Sequence, residues 1–343
     1  VTRQPDVTIV GGGPAGSSLA IALGRAGARV VLYEKATFPR LKPCGEGLLP
    51  HGVAALERLI GVPDAPRVRG LRFSAGGETV DVDFPAGTGL VVRRDRLDTW
   101  LFTQARETAG VDVRVGTEFC GERGRVLVGA DGTRSRFHRL LPAIPDRPRR
   151  VGLSTHVRGI AGVKDRVEVF FHDHGEIYVA PAGDGETLVA GLFDYRHFRR
   201  DGLRHLLGTL PGLRDRVEGF EQTTPMLASA PLGLRVPRIV DHERQLLLAG
   251  DAAGCPDPIT GDGMALALSS TELAADAILT GRLGQYQSRR LARGRRARRL
   301  GRLMLWLSRT ERRAAWFLRD FSGVVPLLLE VALEPGADPL RAK

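Results

Sequence analysis

Three glycine-bearing stretches stand far apart in this chain, and each carries residue types suited to holding phosphates or a polyol. GGGPAG runs from Gly11 to Gly16, GADGTRS from Gly129 to Ser135, and GDAAG begins at Gly250, followed by PITGDGM from Pro258 to Met264. In the first, Gly11, Gly13 and Gly16 form GxGxxG, with Pro14 and Ala15 between the last two, directly after an apolar run and at a helix start. Glycines there permit a tight turn, backbone approach to a pyrophosphate and close helix packing, while the helix N-terminus favours negative charge. Glu34 closes the next apolar run and is placed to take ribose hydroxyls. Asp131 ends another strand-like run, and Asp251, after the buried-looking RQLLLAG, is suited to a polyol beside the pyrophosphate. One long dinucleotide would use all three turns.

The elements that must carry these turns are legible. DVTIVGGGPAGSSLAIALGRAGARVVLYEK reads as strand Asp6 to Val10, helix Ser17 to Arg25 and parallel strand Val30 to Tyr33. From about Val68 to Val92, and again from about Val151 to Leu192, strand-like alternation predicts an antiparallel sheet in another layer. Between them RRDRLDTWLFTQARETAGVDVRV predicts a helix and a strand that return to the first domain. The expected fold is α/β: a Rossmann-like cofactor domain from residues 1–66, 93–150 and 241–288, interleaved with an antiparallel substrate domain at 67–92 and 151–240. A basic helical tail follows at 289–343.

Bulk properties narrow the classes. At 343 residues two packed domains are the natural reading. No secretory pattern and no unbroken apolar run of membrane-spanning length is present, so a cytoplasmic protein is expected. Cys44, Cys120 and Cys255 are widely spaced without CxxC, which suggests neither a disulfide framework nor a zinc site. The net charge of +11 is nearly all arginine, much of it in the tail, and no nucleic-acid recognition motif accompanies it. Nothing in the sequence marks an oligomeric state.

The far end of the cofactor decides between NAD and FAD. Gly261 and Gly263 lead into MALALSSTELAADAIL, whose first backbone N–H groups, at Gly263 and Met264, would stabilise negative charge on a reduced flavin ring. With GGGPAG, GADGTRS and GDAAG followed by P-x-x-G-x-G, the chain resembles the single-component FAD enzymes that include aromatic hydroxylases and geranylgeranyl reductases. FPRLKPCGEGLLPHG, Phe38 to Gly52, looks like the flavin-side loop of the reductases, and Arg94 in RRDRLD matches a family arginine that supports FAD. The resemblance implies a GR2-type domain, noncovalent FAD, and NAD(P)H as a transient donor that needs no second Rossmann site. It extends the cofactor set to Lys35, Arg40, Cys44, Gly45 and Pro258. Two departures stand out: the segment between Val115 and Gly129 is short, and GEIYVAPAG carries Glu176, Tyr178 and Pro181 where relatives have a Trp-containing signature. The strand RGLRFSAGGETVDV has no lysine of the kind halogenases need.

Four residues are candidates for catalysis. Cys44 lies in the flavin-side loop, where it either touches the ring or packs a tight Pro-Cys-Gly turn. Glu46 is a proton donor or a solvated loop carboxylate. His172 and His174 share one strand face with Phe170 and either line the cavity as acid or base or cap an exposed hairpin end; no third ligand for a metal is found beside them. The tail carries an apolar stripe, Leu300, Leu303, Met304 and Leu307, between arginines. It either lies on an anionic membrane surface or packs on the substrate domain. The altered signature and the polar His172, His174 and Glu176 favour monooxygenation of a hydrophobic small molecule. Reduction of an isoprenoid double bond, suggested by KPCGEGL, is the alternative, and a flavin-binding protein without turnover is a third reading.

Overall fold

The computed structural model describes residues 4–333 apart from 123, 147–149, 174, 197–204, 206, 209 and 231. Two sheets organise them. The first has six strands in the spatial order 240–241, 246–248, 126–129, 7–10, 30–34 and 111–115. Val7–Val10 pairs in parallel with Val30–Glu34 on one side and Val126–Gly129 on the other, and Leu246–Leu248 extends the parallel set. Val7–Val10, Val30–Glu34 and Leu246–Leu248 are buried throughout, as parallel strands covered on both faces must be. The helix Pro14–Arg25 opens on proline, which loses no helical hydrogen bond at that position. Its small residues from Ala15 to Ser18 let it lie close on the sheet, and a Cβ at Gly16 would overlap the Gly11 carbonyl oxygen.

The second sheet has eight strands, with Arg150–Ile160, Glu186–Asp194, Gly175–Gly183, Arg166–His172, Gly70–Ala75 and Glu78–Asp83 as consecutive neighbours. Antiparallel pairing was expected throughout, but Gly70–Ala75 runs parallel to Arg166–His172. The chain between them passes through the first domain, and a connection of that length acts as the crossover that parallel neighbours require. A core of its own, including Leu153, Phe170, Ile177 and Val189, lies on one face of this sheet.

The helical segment expected from Met264 onward is two helices, Gly263–Ser269 and Thr271–Leu279. At the join, the Ser270 hydroxyl donates to the Leu266 carbonyl at 2.6 Å, a local bond that competes with helix continuation. The tail is not separate at residue 289: one helix, Leu283–Leu307, runs across that position, followed by Glu311–Asp320 and Val325–Leu333. Ala314, Leu318 and Val325 pack against Phe73, Val82 and Phe171 of the second sheet.

The sheets are also joined by a buried ion cluster. Arg150 donates to Asp257 at 2.7 Å, to the Leu192 carbonyl at 3.1 Å and to Glu176, tying two strands of the second sheet to the turn after Gly250. Burial pushes the Glu176 carboxyl up to about 7, against the pull of Arg150 and with repulsion from Asp257. The folded state therefore holds a proton on Glu176 that the unfolded chain releases near its ordinary value of 4.5. Stability accordingly falls as pH rises from about 4.5 to about 7. Glu176→Gln, which mimics the protonated form, is expected to remove that slope, so that its stability relative to the wild type rises as pH rises toward neutrality. Urea unfolding of both proteins across that pH range measures it; parallel pH profiles would refute the assignment.

Candidate functional site

A cavity of about 780 Å3 runs from the carboxyl ends of the parallel strands to the second sheet and the tail helices. Its two arms differ in chemistry. One is lined by Gly11, Gly13, Pro14, Ala15, Glu34, Lys35, Arg40, Asp131, Gly250 and Asp251, with Pro258, Gly261, Gly263 and Met264 completing it. The other is apolar, with Leu71, Phe73, Val167, Val169, Phe171 and Leu192 from the sheet and Leu300, Met304 and Leu307 from the tail. Every residue expected to hold the cofactor faces the cavity except Gly16, whose part is to bring the first helix against the Gly11 turn.

The polar arm fits FAD on several independent grounds. Gly11 has φ 111°, and a Cβ there would overlap the backbone at Ala130, so only glycine lets the two turns approach. Glu34 accepts from the Gly12 N–H at 2.8 Å and from Ala36 N at 2.9 Å, which fixes its carboxylate beside the glycine turn. Arg40 lies against Gly13 and 3.4 Å from both Glu34 and Asp98. Lys42 adds a further cation: burial and the neighbouring Arg40 and Arg94 charges press its pKa down. A lysine and two arginines crowded together in a half-buried groove call for an anion such as a pyrophosphate. Asp131 accepts from Arg136 N at 2.9 Å through one oxygen, while the other is buried without a partner among the described residues. Asp251 opens into the cavity with no hydrogen bond to its carboxylate among the described residues; its surroundings raise its pKa through burial, against Arg94, Arg290 and Lys42. Two carboxylates with unused oxygens suit a hydroxyl-rich ligand.

Where the two arms meet, the flavin-side loop presents Cys44, Gly45 and Glu46. The Cys44 N–H donates to the Ser154 hydroxyl at 3.2 Å, and the Glu46 N–H points at the Cys44 sulfur at 3.3 Å. Burial raises the Cys44 pKa despite the pull of Arg94, so the sulfur is a neutral thiol at physiological pH. Glu46 is buried, not solvated: Oε1 accepts from Arg94 N at 3.0 Å and Oε2 lies 2.8 Å from His156 Nε2. Its φ of 53° is left-handed, an uncommon position for a residue with a side chain. Arg94 grips Asp98 through two bonds of 2.8 and 2.9 Å.

His172 does not join this group. Val167, Val169 and Phe171 face the cavity, so strand alternation turns His172 to the opposite face with Phe170, where its Nδ1 meets the Asp173 carbonyl at 2.8 Å. His174 lies outside the described residues. Glu176, held by Arg150, is not part of the cavity lining. His156, Lys42 and Ser154 escaped the sequence reading. His156 sits inside the apolar-looking GLSTHVRG, where only the polar triplet Ser154, Thr155 and His156 within a buried strand hints at a site.

Asp251→Ala should weaken FAD binding by about 10- to 100-fold, the cost of one or two lost hydrogen bonds to a charged group. Titration of the FAD-stripped protein by flavin fluorescence measures this, and unchanged affinity would remove Asp251 from the site.

Comparison with known proteins agrees with this reading of the polar arm. Residues 4–137 match the family model described as an FAD binding domain. The chain is 32% identical over 318 residues to the menaquinone reductase of Mycobacterium tuberculosis, spanning 80% of this chain and 77% of that one. Digeranylgeranylglycerophospholipid reductase 2 of Methanopyrus kandleri is 29% identical over 312 residues, spanning 80% and 77%. In fold, a geranylgeranyl bacteriochlorophyll reductase-like protein from Thermoplasma acidophilum superposes with a TM-score of 0.79 at 21% identity, over 99% of this chain and 98% of that one. The flavin-dependent brominase Bmp2 does so with a TM-score of 0.77 at 19% identity, over 96% and 94%. The protein is thus an FAD-dependent oxidoreductase, served by NAD(P)H, and belongs to the superfamily of the menaquinone and geranylgeranyl reductases.

Proposed function

We propose that the protein saturates a carbon–carbon double bond in the isoprenoid chain of a lipid. The observation that carries this reading is the apolar arm, continuous with the cofactor arm and walled by aliphatic and aromatic side chains from both the sheet and the tail. Relatives named for menaquinone and for geranylgeranyl compounds point the same way. Bound FAD, reduced by NAD(P)H, supplies a hydride; the protein must hold the chain, keep water out and furnish one proton. Two residues with acidic side chains line the cavity on the flavin-side loop, Cys44 and Glu46. Glu46 is the better placed to be resupplied with a proton, because its Oε2 lies 2.8 Å from His156 Nε2. The preference for monooxygenation rested on the altered signature and on polar His172, His174 and Glu176 in the strand segment; of these, neither His172 nor Glu176 lines the cavity, while Tyr178 of the altered signature does.

The test is to incubate FAD-loaded protein with NADPH and a prenylated naphthoquinone or geranylgeranyl lipid, under argon and in air. A product heavier by two hydrogen atoms, formed equally without oxygen, is the expected outcome. A product heavier by one oxygen atom, formed only in air, would replace this reading with monooxygenation.

The same reading assigns the outer face of the tail to a lipid surface. Trp306 and Leu327, on the first and last of the three tail helices, are 50% and 59% exposed; Trp316 and Phe321, on and just after the middle helix, are exposed as well, and so are Arg309, Arg312, Arg313 and Arg319. No helix among the described residues is long and apolar enough to cross a membrane, so contact would be interfacial. Flotation with vesicles containing anionic phosphatidylglycerol should carry the protein upward, and Trp306→Ser with Trp316→Ser should leave it in the dense fraction. Equal flotation of both would discard the assignment.

A further inference from the structure

Under that reading each turnover consumes one proton at a place where a bound lipid chain displaces water. A path through the protein would keep that proton supply independent of water in the cavity. Glu46 is where such a route would end, and its surroundings on the side away from the cavity are polar.

Glu46 Oε2 is 2.8 Å from His156 Nε2, and His156 Nδ1 is 3.1 Å from the Thr224 hydroxyl. His156 is buried, whereas Thr224 is partly open to solvent and is followed by exposed Pro225 and Met226. The Thr224 oxygen already accepts from the His156 backbone N–H at 2.9 Å, so its own hydrogen is free to turn to Nδ1. That leaves Nε2 with the ring proton, directed at Glu46. Thr224 is held from both sides: its carbonyl accepts from the Thr155 hydroxyl at 2.7 Å and from the Gln222 amide at 2.7 Å. A small void of about 10 Å3 lies among Glu46, Ser154, Thr155, His156 and Thr224, room for about one water. Glu46 holds a left-handed backbone, φ 53°, between two glycines, while its carboxyl meets this histidine.

We infer that Thr224, His156 and Glu46 form a proton path from the protein surface to the substrate cavity, with His156 acting through Glu46. The balance is simple. The double bond takes a hydride at one carbon and the Glu46 proton at the other. His156 then takes a proton at Nδ1 from solvent through Thr224 as its Nε2 proton passes to the Glu46 carboxylate, so the ring goes through the imidazolium and is left as the Nδ1–H tautomer. The ring nitrogens accept and donate on opposite edges, which carries one proton per turnover; the ring then has to lose the Nδ1 proton and regain one at Nε2 before the next.

The experiment compares FAD-loaded wild type, His156→Gln and Thr224→Val in single turnovers with the lipid under argon, following flavin reoxidation. Glutamine preserves a hydrogen bond to Glu46 but cannot relay a proton. His156→Gln should reoxidise at least tenfold more slowly at an unchanged half-saturating lipid concentration, and added imidazole should restore part of the rate in proportion to its concentration. Thr224→Val should show a smaller loss and a larger solvent deuterium effect than the wild type. A substrate-free arm uses 15N-histidine NMR: one imidazole proton bound to Nε2 should be shifted far downfield and should move in Glu46→Gln. A wild-type rate in His156→Gln, a raised half-saturation without imidazole rescue, or the absence of that resonance overturns the path while the double-bond reading stands. A wild type inert toward every isoprenoid overturns the reading and the path together.

Discussion

Four short parallel strands, side by side in the order 246–248, 126–129, 7–10 and 30–34, are the constraint on which the site depends. Parallel pairing brings their carboxyl ends to one edge, and there the chain delivers Gly250 and Asp251, Asp131, the Gly11 turn and Glu34 from four distant parts of the sequence. Ligands bind at that edge in open α/β sheets because loops and helix N-termini converge on it while helices close the faces. The close approach has a steric condition. Side chains at Gly11, Gly16 or Gly250 would collide with Ala130, with the Gly11 carbonyl or with Ala15, so the glycines are required by the spacing between turns. Longer side chains would force the turns apart, and the cofactor groove with them.

The cofactor half of the molecule was legible in the sequence for the same reason. Each turn is a local pattern of glycine, aspartate and an adjoining apolar run, and local patterns survive without knowledge of tertiary structure. The substrate half was not. Which residues of Arg166–His172 face the cavity depends on a one-residue choice of register, and a one-residue change exchanges the two faces. The sequence left His172 open between the cavity and a hairpin end, and the structure turns it away from the cavity; part of the preference for oxygen chemistry leaned on the first alternative. His156 gave no local sign because its partner, Glu46, is 110 positions away. The break at Ser270 was likewise invisible, since the apolar period continues through it.

The tail shows how charge and apolarity are divided. Arg295, Arg299, Arg302, Arg309, Arg312, Arg313 and Arg319 are exposed, whereas Arg290 is buried and donates to the Gly250 and Gly254 carbonyls; Leu300, Met304 and Leu307 wall the cavity, and Ala314 and Leu318 pack on the sheet. Both readings of the basic amphipathic stretch thus concern different faces of the same helices. One face is already covered, and the other leaves Trp306, Trp316 and Phe321 exposed.

The interleaving of the two domains has a consequence for chemistry. Cys44 and Glu46 belong to the cofactor domain, yet their partners Ser154 and His156 stand on a strand of the second sheet. The loop that carries them is held from a third direction as well. Gly47 and Leu48 pair with Val91 and Leu90, and the Val92 N–H donates to the Glu46 carbonyl at 3.0 Å. Those contacts come from the stretch where the chain returns from the second sheet to the first domain, just before Arg94. A loop clamped by both domains and by the crossing between them cannot shift without disturbing all three. Rates of group transfer fall steeply with displacements of about 1 Å. Such clamping places the acid at a fixed position relative to both arms of the cavity, which a loop anchored in one domain alone would not do.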